Sequence, residues 1–147
     1  MSTIDAPKSL SHRSISREAA AALVTEVRAA AAEIGFPAAV AVTDAGGHLV
    51  AFERDDPAPF LAANVAIDKA WTAASFHLPT HTWNELLGNP EIAPLQHIPR
   101  VVAVGGGFPL IDGDQVVGGL GISGGDYAQD QKAGETALGA VGFDLPG

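Results

Sequence analysis

The chain has 147 residues, a net charge of −9 and no cysteine, and hydrophobic residues make up 47% of it. This length and composition are typical of one globular domain, so we expect an N-terminal arm, residues 1–15, and a single domain, residues 16–147. Without cysteine there can be no disulfide, thiolate catalysis, iron–sulfur cluster or zinc–thiolate site. The acidic charge disfavours nucleic acid and membrane surfaces as partners. No apolar run reaches about 18 residues, and Met1–Arg13 lacks the apolar core of a secretory signal, so we expect a cytoplasmic protein.

The first predicted elements are a helix and a β-hairpin. Ser16 is a favoured N-cap residue, alanine and larger apolar side chains recur at spacings of three and four over Arg17–Ile34, and Gly35 ends the pattern. Two β-prone runs follow, Ala38–Asp44 and His48–Arg54, with Asp-Ala-Gly-Gly at their junction. Turn residues of this type between two such runs predict a hairpin.

The middle of the chain is predicted to be mainly helical. A second helix is expected from about Phe60 to Phe76, and Pro79 interrupts its continuation. The run Thr82–Glu85 fits a capping box that opens a short helix ending at Leu87. Residues 88–99 contain three prolines and are predicted to form a loop.

The last third of the chain predicts three strands and a helix. The strands are expected at Val101–Val104, Phe108–Ile111 and Gln115–Ile122, and the helix at about Tyr127–Ala140. Because the strands are arranged as hairpins, the sheet should be mainly antiparallel, with the helices covering it in an α/β (α+β) fold.

Two glycine clusters stand out. The run Gly119–Gly124 matches the dinucleotide fingerprint G-x-G-x-x-G, but a Rossmann unit needs a further parallel strand after the helix, and residues 141–147 are too few to supply one. We interpret the run as a strand packed closely against a helix, with the amides of Gly124 and Gly125 as candidate donors to a ligand carboxylate. The second cluster, Gly105–Gly107, fits a structural turn and a ligand-facing loop about equally well.

Titratable side chains concentrate between the second helix and the predicted third strand. We predict that His77, His81 and His97 converge on one pocket with Lys69 and Arg100 close by, and these five are the candidate catalytic residues. His77 and His97 are the predicted metal ligands. The alternative is that the histidines are solvated or structural and that the lysine extends to water. Three further charges beside turns or caps are candidates for structural ion pairs: Asp44, Arg54 and Asp130.

Several runs, in order along the chain, resemble one family. They are Val40–Phe52 (VAVTDAGGHLVAF), Ala66–Ala73 (AIDKAWTA), Gly106–Leu110 (GGFPL) and Val117–Gly125 (VGGLGISGG), the last followed by Gln129-Asp130. Together they resemble the GlcG/HbpS-like haem-binding family, which includes the C-terminal domain of PduO proteins. The likeness extends over about residues 14–142. It implies a profilin-like three-layer α/β/α fold with a five-stranded antiparallel sheet and homo-oligomeric assembly. It also implies that some members bind haem or related tetrapyrroles.

The chain departs from this family at the end of the second helix. It reads Phe76-His77-Leu78-Pro79-Thr80, where the family often has glycine or another small residue in place of His77. The loop that contains His97 also differs from the family pattern. These departures favour a site specialised for different chemistry in this protein.

Two functions follow from these patterns. In the first, the chain is a binding module that holds haem or a similar ligand non-covalently, with a histidine on the iron and Arg100 or the Gly124–Gly125 amides on a propionate. Trp71, Phe76 and Trp83 are then expected to line the ring face. In the second, the chain is a cofactor-independent isomerase, lyase or hydrolase that acts on a small organic acid or ring compound through a proton-transferring histidine. A structural accessory protein without a ligand is the third option.

A homo-oligomer, at least a dimer, is expected on three grounds: the resemblance implies assembly, 47% of the acidic chain is hydrophobic, and the helices are rich in alanine. Small side chains make flat helix faces that pack well against a copy of themselves. The ligand pocket is then expected near the subunit boundary.

Overall fold

The computed structural model describes residues 2–146, and these contain four α-helices, one 3-10 helix and four strands. In chain order they are α1 (Arg17–Ile34), β1 (Ala39–Asp44), β2 (Leu49–Arg54), α2 (Leu61–Phe76), α3 (Thr80–Leu86), η1 (Ala93–His97), β3 (Gly107–Asp112), β4 (Gln115–Ser123) and α4 (Tyr127–Val141). No helix in the described part of the chain is long and apolar enough to cross a membrane.

The strands form one sheet in the order β2-β1-β4-β3, and every neighbouring pair is antiparallel. The hairpin between β1 and β2 and the antiparallel character of the sheet are therefore confirmed. A sheet of this kind has no parallel βαβ unit, so the G-x-G-x-x-G run does not belong to a dinucleotide-binding fold.

Helices cover both faces of the sheet. Side chains alternate along β1, so that Val40 and Val42 pack in the larger core with α1 and α4, whereas Ala39 and Ala41 pack against α2. The result is a three-layer arrangement with α1 and α4 on one face and α2 on the other.

The glycines of β4 allow α2 to approach the sheet closely. A Cβ atom placed at Gly121 would overlap the carbonyl oxygen of Ala66, and one at Gly119 would overlap that of Ala70. The close packing predicted for this run is therefore confirmed, and the packing partner is α2.

Capping residues fix the ends of α1 and α4. The Ser16 side chain accepts a hydrogen bond from the amide of Ala19, and Gly35 ends α1 with a φ of 103°. Asp126 and Gln129 form a reciprocal capping box at the start of α4. These boundaries agree with the predicted ones to within one residue.

The predicted start of α3 is wrong. The helix begins at Thr80, directly after Pro79, and no side chain caps it, so the capping box expected at Thr82–Glu85 does not form. Pro79 has a φ of −62° and cannot donate through its own nitrogen, which suits it to a position just before a helix. The following loop, predicted to lack regular structure, contains η1.

The strand predicted at Val101–Val104 is absent. The hydroxyl of Thr72 in α2 donates to the Arg100 carbonyl at 3.0 Å and accepts from the Val102 amide at 3.1 Å. These backbone groups are thus bonded to a helix side chain and not to a neighbouring strand. Within residues 2–146 the sheet has four strands and not the five implied by the family resemblance.

Candidate functional site

A corner of the molecule at the C-terminal half of α2 brings several predicted site residues together. The Arg100 guanidinium lies 4.5 Å from the centroid of the Trp71 ring, and its Nε donates to Asp68 Oδ1 at 2.9 Å. The two Nη atoms have no hydrogen-bond partner among residues 2–146. The guanidinium is therefore held by an aromatic face and a carboxylate, and its Nη donors have no partner within residues 2–146. We call Asp68, Trp71, His77 and Arg100, with the cleft beside them, the α2 corner.

Two residues of this corner have a strained backbone. His77, with a φ of 59°, and Arg100, with a φ of 74°, are the non-glycine residues of the described chain that adopt the left-handed conformation. Such a conformation costs on the order of 1–3 kcal/mol and persists where the surroundings enforce it, often at functional sites. At His77 it ends α2, because the amide still donates to the Ala73 carbonyl while the chain turns away.

A cleft of about 370 Å³ separates the β1–β2 turn from α2. Its walls combine an indole, an imidazole and a hydroxyl with small residues: Ala45, Gly46, Gly47, Trp71, Ala74, Ser75 and His77. Gly47 has a φ of 84°, and a Cβ atom there would lie 2.9 Å from Trp71 Cδ1, so glycine is required for both conformation and space.

Larger surface depressions, of about 410 to 510 Å³, lie elsewhere on the described part of the molecule. None of the predicted site residues lines them. The chemistry of the lining, and not the volume, makes the cleft of the α2 corner the candidate site.

The other two histidines of the predicted cluster lie on different segments. His81 belongs to the first turn of α3, with its ring 6.1 Å from that of Phe108 and its Nδ1 buried without a hydrogen-bond partner in the described residues. His97 is exposed at the end of η1. Within residues 2–146 no group of three or more histidine and carboxylate side chains is placed to hold a metal ion. Convergence of the three histidines on one pocket stays a prediction.

The aromatic residues predicted to line a ligand differ in exposure. Trp83 is 5% exposed and packs against Phe76, with ring centroids 4.6 Å apart. Phe76 itself is 36% exposed and directly precedes His77. Phe76 and Trp71 are therefore accessible from the surface, whereas Trp83 supports Phe76 from inside.

The amides at the start of α4 have partners within the protein. The Gly125 amide donates to Asp130 Oδ1 at 3.0 Å, and the Asp126 amide donates to Gln129 Oε1 at 2.9 Å. A Cβ atom at Gly124 would overlap the Pro37 carbonyl oxygen. Binding of a ligand carboxylate by Gly125 would require its amide to give up the bond to Asp130.

Lys69 is fully buried and does not line the cleft. Its Nζ donates to the Ile122 carbonyl at 2.7 Å and to Asp130 Oδ2 at 3.0 Å, and Asp130 is 1% exposed. Burial lowers the pKa of Lys69 and raises that of Asp130, while the attraction between the two charges acts in the opposite direction on each.

From the sequence, Asp130 was predicted as a candidate for an ion pair, but Lys69 was not identified as its partner. The second glycine cluster, Gly105–Gly107, does contain a feature that points to this pair. A Cβ atom at Gly106 would lie 2.8 Å from Lys69 Nζ and 2.9 Å from Asp130 Cβ, so a residue without a side chain is needed there. At Gly106 the cluster has the structural role that was one of its two predicted interpretations.

Comparison with known proteins finds relatives that match most of the chain. A family model described as "Haem degrading protein HbpS-like" matches residues 15–139. An uncharacterized 15.0 kDa protein from the dhaT-dhaS intergenic region of Citrobacter freundii is 33% identical over 135 residues, which cover 89% of this chain and 94% of that protein. The protein GlcG of Escherichia coli K12 is 31% identical over 109 residues, 74% of this chain and 81% of GlcG.

Solved structures share the fold over nearly the whole chain. The crystal structure of Klebsiella pneumoniae protein ORFY has a TM-score of 0.88 at 30% identity, covering 96% of this chain and 98% of that one. The crystal structure of a complex of PduOC with haem has a TM-score of 0.85 at 28% identity, covering 91% of this chain and 99% of that one.

Proposed function

The chain belongs to the HbpS-like family, and on that premise we propose that it binds haem, or a similar tetrapyrrole that carries carboxylates, non-covalently in the α2 corner. The observation that carries the proposal is the Arg100 guanidinium, which Asp68 holds against the ring of Trp71, and Trp71 also lines the cleft with His77. A guanidinium fixed in this way still has N–H donors that are unpaired within the described chain, and these are suited to bind a propionate. The haem complex of PduOC, which has the same fold, supports this choice of ligand.

The residues of the corner fit such a ligand chemically. Imidazole is a common ligand of haem iron, and the exposed imidazole of His77, which lines the cleft with the indole of Trp71, would supply that ligand. Haem, when bound, supplies a redox-active iron. The protein's own residues would bind and orient it: His77 through nitrogen, Arg100 through the propionate, and Trp71 and Phe76 through contact with the macrocycle.

The size of the cleft favours a site that a second subunit completes. At about 370 Å³ it is at the lower end of the range for small-molecule sites, which is roughly 300–1,000 Å³. We therefore propose a homo-oligomer, at least a dimer, with the α2 corner near the subunit boundary. We also propose that the protein acts in the cytoplasm, since its acidic chain disfavours association with anionic membranes.

Titration of the purified protein with hemin tests the proposal. Saturable binding with a shifted and sharpened Soret band is the expected result. Hemin dimethyl ester, which keeps the iron but lacks free carboxylates, should bind more weakly because Arg100 has no anion to hold. A Soret band that is the same with and without protein would overturn haem binding.

One observation favours the second candidate, a cofactor-independent enzyme. Nδ1 of His81 is buried and has no hydrogen-bond partner within residues 2–146, so this nitrogen is available to accept or donate a proton. Incorporation of solvent deuterium into small organic acids, followed by proton NMR, measures such activity. Incorporation that is lost in His81→Gln but kept in His12→Gln would favour the enzyme. No incorporation in the wild type would exclude it for the acids tested.

A further inference from the structure

We infer that residues 2–11 of one chain pack into an apolar groove on a second copy of the chain, and that the two copies exchange these segments. The groove, which we call the terminal groove, has a volume of about 480 Å³ and lies where the arm, the β3–β4 hairpin and the end of α4 meet. Its apolar walls are formed by Ile15, Ile111, Val117, Val141 and Phe143. The inference rests on the proposed self-association and specifies the segment that mediates it.

The base of the arm is firmly attached to its own domain. The Arg13 amide donates to Gln115 Oε1 at 3.0 Å, and the Ile15 amide donates to the Val117 carbonyl at 2.9 Å. His12 Nδ1 lies 3.1 Å from the same Gln115 oxygen. The direction in which the chain leaves the domain is therefore fixed at His12.

Beyond this anchor the arm has no partner in its own chain. Residues 2–11 are all exposed, and none of them makes a hydrogen bond to another described residue. Ile4 is 89% exposed and Leu10 is 84% exposed, although both side chains are large and apolar. Transfer of such side chains from water into an apolar groove is favourable.

A second copy is the occupant that the geometry favours. Ten extended residues span at most about 33–36 Å, enough to reach a neighbouring domain. Arg13–Ile15, the base of the arm, also line the terminal groove of their own chain, so two copies with facing grooves can exchange arms over a short path. Exchange of identical segments is a low-cost route to a dimer.

Disulfide cross-linking tests the exchange, because the chain has no cysteine of its own. Two proteins are mixed under mild oxidation, one with Leu10→Cys in the arm and one with Ala19→Cys in the groove wall. The expected product is a covalent heterodimer at about twice the 15.0 kDa mass of the chain, identified by its linked peptides. Ala32→Cys, an exposed alanine on the same helix but outside the groove, replaces Ala19→Cys in the control and should give little heterodimer.

Two results would overturn the inference. One is a disulfide that forms only within a single chain of the double variant Leu10→Cys/Ala19→Cys, because the arm would then occupy its own groove. The other is an equal heterodimer yield with Ala19→Cys and Ala32→Cys. Light scattering of the wild type distinguishes failure of the proposed self-association from failure of the proposed arm exchange. A stable monomer contradicts both the self-association and the exchange, whereas an oligomer without the Leu10–Ala19 cross-link contradicts the exchange alone.

Discussion

Lys69 Nζ lies 3.0 Å from Asp130 Oδ2, and this pair joins the two helical layers that the sheet separates. Lys69 belongs to α2 and Asp130 to α4, and their side chains are 0% and 1% exposed. The third contact of the ammonium, the Ile122 carbonyl, belongs to β4 between them. One buried ion pair thus connects all three layers beside Gly106.

Removal of one partner should destabilise the protein strongly. Lys69→Met leaves the Asp130 carboxylate buried without its ammonium, and loss of one member of a buried pair costs about 3–5 kcal/mol. Urea unfolding measures the change in the free energy of unfolding. Lys132→Met, at an exposed position of α4, is the control and should change it by less than about 0.5 kcal/mol. A loss for Lys69→Met no larger than that of the control would contradict a structural role for the pair.

The contact between α2 and β4 predicts opposite effects for two glycine substitutions. Gly121→Ala places a methyl group against the Ala66 carbonyl, so the free energy of unfolding should fall by about 1–3 kcal/mol. Gly139→Ala, in α4 with no atom within 4 Å of the new Cβ, should instead raise it by about 0.5–1 kcal/mol. Thermal unfolding of both variants checks the prediction, and equal effects would show that α2 does not pack as described.

The sequence predicted those parts of the fold that depend on neighbouring residues. The cap at Ser16, the glycine after α1 and the turn between β1 and β2 all appear where expected. The prediction of a strand at Val101–Val104 is wrong because the partner of this segment is distant in the sequence. Its backbone is hydrogen-bonded to Thr72, about 30 positions earlier. The residues around the predicted strand do not indicate a partner so far away in the sequence.

The same limit applies to the candidate site. Of the predicted site residues, Trp71 and His77 line one cleft, and Arg100 contacts the ring of Trp71. Lys69 was predicted there too, yet it is buried with Asp130, which follows it by 61 positions. A lysine that enters the core cannot be distinguished by sequence spacing from one that extends to a surface, because the difference lies in a tertiary partner.

The turn at Asp44 predicts a dependence of stability on pH. Burial raises the pKa of Asp44, but hydrogen bonds from the His48 and Gly46 amides and from the His48 ring lower it by more, so its pKa lies below the ordinary 3.8. The unfolded chain therefore binds a proton more readily at low pH. The stability that Asp44 contributes is present above pH 3.8 and is lost as the pH falls through the folded-state pKa.

Asp44→Ala should accordingly lower the free energy of unfolding by about 1 kcal/mol near neutral pH, and the difference from the wild type should shrink in acid. Urea unfolding at several pH values between neutral and about 3 measures this. Asp5→Ala, in the exposed arm, is the control and should match the wild type throughout. A difference for Asp44→Ala that is constant over this range would contradict the stated cause.

Substitution of Arg100 should separate ligand binding from stability. Arg100→Gly removes the guanidinium and relieves the backbone strain at a φ of 74°, so the melting temperature should not fall while hemin affinity falls roughly tenfold or more. Arg17→Gly, at an exposed arginine of α1, is the control and should leave affinity unchanged. Equal hemin affinity in both variants would show that Arg100 does not contribute to hemin binding.

Titration of His77→Gly with hemin, followed through the Soret band, tests the central claim most directly. Glycine suits the left-handed φ of 59° at this position, so the variant should fold while it lacks the imidazole. We predict an altered Soret band, a loss of affinity of about tenfold or more, and partial recovery on addition of free imidazole, with His97→Ala and His12→Ala as comparisons. A His77→Gly protein that binds hemin with the affinity and Soret band of the wild type would contradict the assignment of His77 and of the α2 corner.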